Sequence, residues 1–84
     1  MNSKDITPRN DKDEAHGSWE RYWDNGQLWY NGNYVNGNRH GYFEYYYDNG
    51  QLWSKGNYVN GNKHGYWEEY YWSDGKLKSK IYYI

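Results

Sequence analysis

The sequence predicts an all-β protein, an antiparallel meander of about six strands built from three β-hairpin repeats of 24 residues. Three observations predict it. Residues 16–39, HGSWERYWDNGQLWYNGNYVNGNR, return at 40–63 as HGYFEYYYDNGQLWSKGNYVNGNK, and a degraded copy, HGYWEEYYWSDGKLKSKIYYI, fills 64–84. The first two copies each carry two turn signals, Asn25-Gly26 with Asn36-Gly37 and Asn49-Gly50 with Asn60-Gly61, and the third keeps an Asp-Gly. Between the signals lie runs of Trp, Tyr and Val that suit a pleated, half-buried surface, and no window of eleven or more residues carries an apolar stripe at helical period.

Taken in order, residues 1–15 (MNSKDITPRNDKDEA) are polar, hold the only proline, and carry four acids against three bases. They read as a disordered or loosely attached tail, and they lack the apolar core of a signal peptide. The repeat domain is expected over 16–84, divided at 16–39, 40–63 and 64–84. Copies one and two differ at seven of 24 positions, and a fixed period of this length means an array in which each unit completes its core on a neighbour.

Within a unit, Asp24-Asn25-Gly26 and Asp48-Asn49-Gly50 predict tight hairpins, and the longer signals from Asn36 to Gly41 and from Asn60 to Gly65 predict looser turns. A two-residue Asn-Gly loop of type I′ pairs Trp23 with Leu28, Arg21 with Tyr30 and Trp19 with Gly32, whose missing side chain makes room for Trp19. That register puts Trp19, Trp23, Leu28 and Tyr34 on one face, and Glu20, Tyr22, Trp29 and Asn31 on the other. A three-residue loop shifts it by one. One extra residue near Trp72 predicts a bulge or longer turn in the third copy. The last strand, KLKSKIYYI, sets Lys76, Lys78 and Lys80 on one face as edge guards, ahead of an apolar end.

Leu, Ile, Val and Phe supply only nine of 84 residues, a composition that alone suggests disorder. A net charge of −1 and 24% aromatic residues overrule it, so the core must be built of tryptophan and tyrosine. A single sheet has two faces, both here carrying rings, and nothing in the sequence resembles a polar capping repeat. A homodimer is therefore expected, covering either the edge near 81–84 or one aromatic face. The absence of cysteine rules out a disulfide framework, and nothing approaches a membrane span, so a cytoplasmic location is expected. Seven acids against seven bases in the repeats give no electrostatic case for nucleic acid or an anionic membrane as partner.

These residues resemble the MORN repeat (membrane occupation and recognition nexus), in the variant form of bacterial antitoxin-like repeat proteins. The matching elements are the aromatic after His-Gly (Trp19, Phe43, Trp67), Tyr22, Tyr46 and Tyr70, Asp-Asn-Gly, Leu28, Leu52 and Leu77, and Gly-Asn-Tyr-Val-Asn-Gly at 32–37 and 56–61. The resemblance implies a single layer of hairpins used as a scaffold for protein contacts, often dimeric, with some members antitoxins or linked to membranes.

Of the candidate site residues, His16, His40 and His64 recur every 24 residues. Two strands separate them, about 10 Å, too far to share a metal at bonds of about 2 Å, so they read as turn caps. Glu20, Glu44 and Glu68 recur in every copy, but nothing pushes their pKa values apart as acid–base pairs require. They are expected to accept turn amides or to face cations across strands. Tyr22, Tyr46 and Tyr70 with Trp29 and Trp53 form the expected aromatic stripe, fit to seat a partner's side chains or stack a ligand. The positions that vary between copies (Arg21, Tyr45, Glu69; Tyr30, Ser54, Ser79) are where a repeat scaffold encodes specificity. No nucleophile–base pair, phosphate loop, metal set or cofactor motif is present, so no enzyme is expected. The reading is a non-enzymatic module binding another protein, in one form an antitoxin-like neutraliser. The alternative is a small-ligand binder or sequestering protein whose aromatic pocket takes a nucleotide, sugar or signalling molecule.

Overall fold

A computed structural model describes residues 4–84. Seven strands form one antiparallel sheet: β1 (Gly17–Tyr22), β2 (Leu28–Val35), β3 (Asn38–Arg39), β4 (Gly41–Tyr46), β5 (Leu52–Val59), β6 (Asn62–Tyr70) and β7 (Leu77–Tyr83). They lie in the order β1-β2-β4-β5-β6-β7, with β3 beside β2. The predicted meander is present. The count rises from about six to seven because β3 and β4 are one strand broken at His40, where Gly41 takes φ +86°. The molecule measures 42 × 35 × 12 Å, one sheet thick.

The two Asn-Gly signals of a repeat do different work, and the expectations for them are reversed. Asn36-Gly37 (φ +48° and +88°) and Asn60-Gly61 (+51° and +85°) hold positive φ at both residues, the type I′ requirement, so the connection read as loose is the tight two-residue turn. At the other signal only Gly26 (+91°) and Gly50 (+89°) are left-handed. Gly26 N–H donates to the Trp23 carbonyl (2.9 Å) and Trp23 N–H to that of Gln27 (2.8 Å), which closes a three-residue loop. The Asn25 side chain selects this form by accepting the Gln27 N–H at 2.9 Å, as Asn49 does for Gln51.

The three-residue loop nevertheless leaves the two-residue register intact through most of the hairpin. A bulge at Trp29 sets Tyr22 opposite Leu28 and then restores Arg21 opposite Tyr30 and Trp19 opposite Gly32. The same slip recurs at Trp53 and Lys78, so Lys78 falls out of line with Lys80. In the third copy the extra residue lengthens the loop to 72–75, closed by Gly75 N–H on the Tyr71 carbonyl at 3.1 Å.

The core is six rings on one face, Trp19, Tyr30, Tyr34, Phe43, Tyr58 and Trp67. Gly32 makes room not for Trp19, as expected, but for Phe43: a Cβ there would run into the Phe43 ring, and one at Gly56 into Trp67. Each repeat's ring leans back across the glycine of the preceding hairpin. This is how a single sheet leaves Phe43 with 0% exposure.

Among the described residues no repeat precedes Trp19, and the segment expected to be a loose tail supplies the substitute. Ile6 and Glu20 exchange backbone hydrogen bonds at 2.8 and 2.9 Å, and Trp19 Nε1–H donates to the Pro8 carbonyl at 2.9 Å. The Arg9 guanidinium lies 5.6 Å from the Trp19 ring. Asp5 accepts from Arg21 Nε (3.0 Å) and from the Tyr22 amide (2.8 Å). From Asp5 onward the segment is a cap, corrected from a tail and from the expectation that the array lacks one; residues 1–3 lie outside the described residues. Composition misled because this segment buries few apolar atoms and docks by hydrogen bonds. At the far side, β7 has no outer partner among the described residues, and its Ile81 and Tyr82 are exposed.

Candidate functional site

The bulge at Trp29 and Trp53 divides the expected aromatic stripe between the two faces. Tyr22, Tyr46 and Tyr70 stay on the face of the glutamates, and their hydroxyls donate to Glu20 (2.8 Å), Glu44 (2.9 Å) and Glu68 (2.7 Å). Tyr42 donates to the other oxygen of Glu44 at 2.9 Å. The glutamates accept phenols, not the turn amides expected of them; the cross-strand cations expected of them are found at Glu68, where Lys55 and Lys80 lie at 3.6 and 3.9 Å. The Tyr70 hydroxyl, then these lysines, hold the Glu68 carboxyl below its ordinary range. Burial, followed by the bond to Glu68, raises Tyr70 to about 12. His16 Nδ1 accepts the Asn36 N–H at 3.1 Å and so caps a turn. Among the described residues no group of three His, Cys or acidic side chains could hold a metal ion.

Trp29 and Trp53 join the opposite face. The Trp29 ring lies 4.9 Å from Trp23 and 5.3 Å from Tyr30, with the Arg21 guanidinium over it at 5.3 Å. Trp53 stacks on Tyr47 at 5.5 Å and meets Tyr45 edge-on at 6.1 Å. The repeats are stitched through this layer: Trp23 Nε1–H donates to the Tyr46 carbonyl (3.0 Å), and the equivalent Tyr47 hydroxyl to that of Tyr70 (2.8 Å).

The varying positions are brought together more completely than spacing alone suggested. Arg21 pairs with Tyr30, Tyr30 with Tyr45, Tyr45 with Ser54, Ser54 with Glu69, and Glu69 with Ser79. They make one unbroken row across six strands of the aromatic face. Tyr45 and Tyr58 share a hydroxyl hydrogen bond at 3.0 Å, and burial, with that bond second, pushes the Tyr45 phenol up. Burial and Tyr34 raise Tyr30 to about 12.

A second row, of cations, was missed from sequence. Arg39 lies over Tyr34 (6.0 Å) and Tyr58 (5.5 Å), and Lys63 over Trp67 (4.7 Å) and Tyr83 (5.5 Å). The signal was present, since Arg39 and Lys63 exchange cation for cation at the same place in successive copies. Two hollows open on this side. One of about 530 Å³ lies where Asp5 docks against Arg21, Trp23 and Trp29; one of about 160 Å³ lies over Ser54, among Tyr45, Trp53, Tyr58, Lys63, Trp67 and Glu69.

A one-layer array of hairpins with rings, cations and hydroxyls displayed across a face defines a repeat-built binding scaffold. The model of the MORN repeat variant matches residues 15–36, 39–60 and 63–84, and the chain belongs to that family of binding modules. No curated protein and no solved structure matches the chain. Among the described residues no helix is long and apolar enough to cross a membrane.

Proposed function

We propose that this chain is a non-enzymatic module of the cytoplasm whose aromatic face receives another protein. The observation that carries the reading is the row of varying side chains crossing that face, bordered by half-open indoles and by Lys63. Interfaces are enriched in Tyr, Trp and Arg, and a repeat scaffold alters its partner by changing residues that do not hold the repeat together. Neutralising a partner as an antitoxin does is the narrower form of this reading, and it rests on the resemblance alone. The near balance of charge argues against nucleic acid or an anionic membrane as partner.

The test captures partners from the native host with tagged wild-type chain, with Trp53→Glu on the aromatic face, and with Tyr66→Glu on the opposite one. Both residues are exposed enough to change without opening the core. A protein lost with Trp53→Glu and kept with Tyr66→Glu supports the proposal. The reverse pattern overturns the choice of face, and a small molecule held by the purified chain in native mass spectrometry, with no protein captured, favours the ligand-binding alternative.

A further inference from the structure

The hollow over Ser54 has an internal explanation. Its counterpart 24 residues earlier is Tyr30, whose ring is nearly buried on the same face. The Tyr30 ring meets Trp29, Phe43 and Tyr45 at centroid distances of 5.3, 6.3 and 5.5 Å. It stands opposite Arg21 in the sheet, its hydroxyl neighbours are Tyr34 and Arg21, and Arg39 feels its charge from farther off. Adding 24 to each of these neighbours gives Trp53, Trp67, Glu69, Tyr45, Tyr58 and Lys63, which together with Ser54 are the complete lining of the hollow. Copy two has a serine where the Tyr30 ring stands; around it the tryptophan, the tyrosine and the cation recur as Trp53, Tyr58 and Lys63, while Tyr45 replaces Arg21, Trp67 replaces Phe43 and Glu69 replaces Tyr45.

The space suits what is missing. An apolar hole of about 150 Å³ holds one benzene ring, and this hollow measures about 160 Å³. Its walls are two indoles and two phenols, which favour edge-on and offset contacts with another ring, with Lys63 and Glu69 completing the rim. The Tyr58 and Tyr45 hydroxyls, bonded to each other at 3.0 Å, stand where Tyr34 and Arg21 meet the Tyr30 hydroxyl, and Lys63 stands in the place of Arg39.

We propose that the hollow over Ser54 is a socket for a para-hydroxyphenyl ring, a tyrosine side chain presented by the protein partner. Its ring lies between Trp53 and Trp67, and its hydroxyl reaches Tyr58 and Lys63. This rests on the proposed function and names the group that the aromatic face grips most closely.

The experiment titrates p-cresol into the intact chain and follows the indole N–H resonances by NMR. The expected result is a saturable shift at Trp53 and Trp67, with toluene binding roughly two- to tenfold more weakly for want of one hydrogen bond. Ser54→Tyr refills the socket and is expected to abolish the shifts while raising the melting temperature. Tyr30→Ser is expected to open a second socket, reported by Trp29, and serves as the independent variant if Ser54→Tyr does not fold. No saturable shift in the wild type overturns the proposal, as do equal shifts in wild type and Ser54→Tyr. A captured partner that Trp53→Glu loses and Ser54→Tyr keeps refutes the socket and leaves the binding face standing. Loss of p-cresol binding in Ser54→Tyr with no protein partner at all identifies a free phenolic ligand and overturns the assignment to a partner's tyrosine.

Discussion

Replacing Gly32 by alanine adds one methyl group where the Phe43 ring lies. Gly32 is not in the left-handed region, so its backbone accepts alanine and the effect is confined to the collision with ring carbons of Phe43. The ring cannot step aside, because Tyr34 and Tyr58 meet it edge-on at 5.6 and 5.1 Å while Tyr30 and Tyr45 stack at 6.3 and 6.1 Å. Overpacking a tight core costs about 1–3 kcal/mol, and the stiffer unfolded chain returns about 0.4–1 kcal/mol. With the collision at the upper end, the net loss is about 2 kcal/mol, which lowers the melting temperature by about 8–16 °C in a domain of this size. Urea denaturation followed by tryptophan fluorescence measures it. Phe43→Leu in the same chain should recover at least about 1 kcal/mol of coupling, whereas it should rescue nothing in Gly41→Ala, where φ is +86° and space is open. A Gly32→Ala chain within about 0.5 kcal/mol of wild type, or additive costs in the double variant, would refute the leaning-ring account.

Deleting residues 1–9 removes the lid of Trp19 and should cost about 2 kcal/mol through lost burial and hydrogen bonds; an unchanged urea midpoint would show the segment to be a passenger. Tyr30, Tyr42 and Tyr70, raised to about 12, hold protons that the unfolded chain gives up near 10. Stability is therefore full below about pH 10 and falls as pH rises toward 12, and phenolate absorbance should show these rings ionising later than the ordinary tyrosines; a single ordinary titration of every tyrosine while the chain stays folded contradicts this. Two chains are expected to pair, burying exposed aromatic face or the free edge of β7, and sedimentation at one-chain mass over a tenfold concentration range would exclude it.

The meander was legible because the period, the turn residues and the aromatic runs agree with one another. What stayed hidden depended on neighbours outside the unit. The Asn25 amide and the Trp29 bulge are local events, but only the set of backbone angles shows that loop and bulge cancel in register. That cancellation parted Trp29 and Trp53 from Tyr22, Tyr46 and Tyr70, so the stripe drawn from strict alternation mixed two faces. The cap escaped notice for another reason: Asp5 and Pro8 dock through a carboxylate and a carbonyl, groups that a reading of hydrophobicity scores as solvent-seeking. The row from Arg21 to Ser79 was visible as variation, yet its continuity needed the pairing of every strand.

The backward lean of the rings gives the array a direction of growth. A repeat is finished by the hairpin before it and offers its own glycine to the one after, like overlapping roof tiles. A further 24-residue copy spliced in at residue 40 would find Gly32 waiting for its ring and would bring a glycine of its own for Phe43. The third copy breaks the sequence of offers, since Ile81 stands opposite Trp67 where Gly32 stands opposite Trp19. No ring of the same kind can lean over Ile81, so this array lengthens by insertion between its first and last hairpins and not by extension past β7.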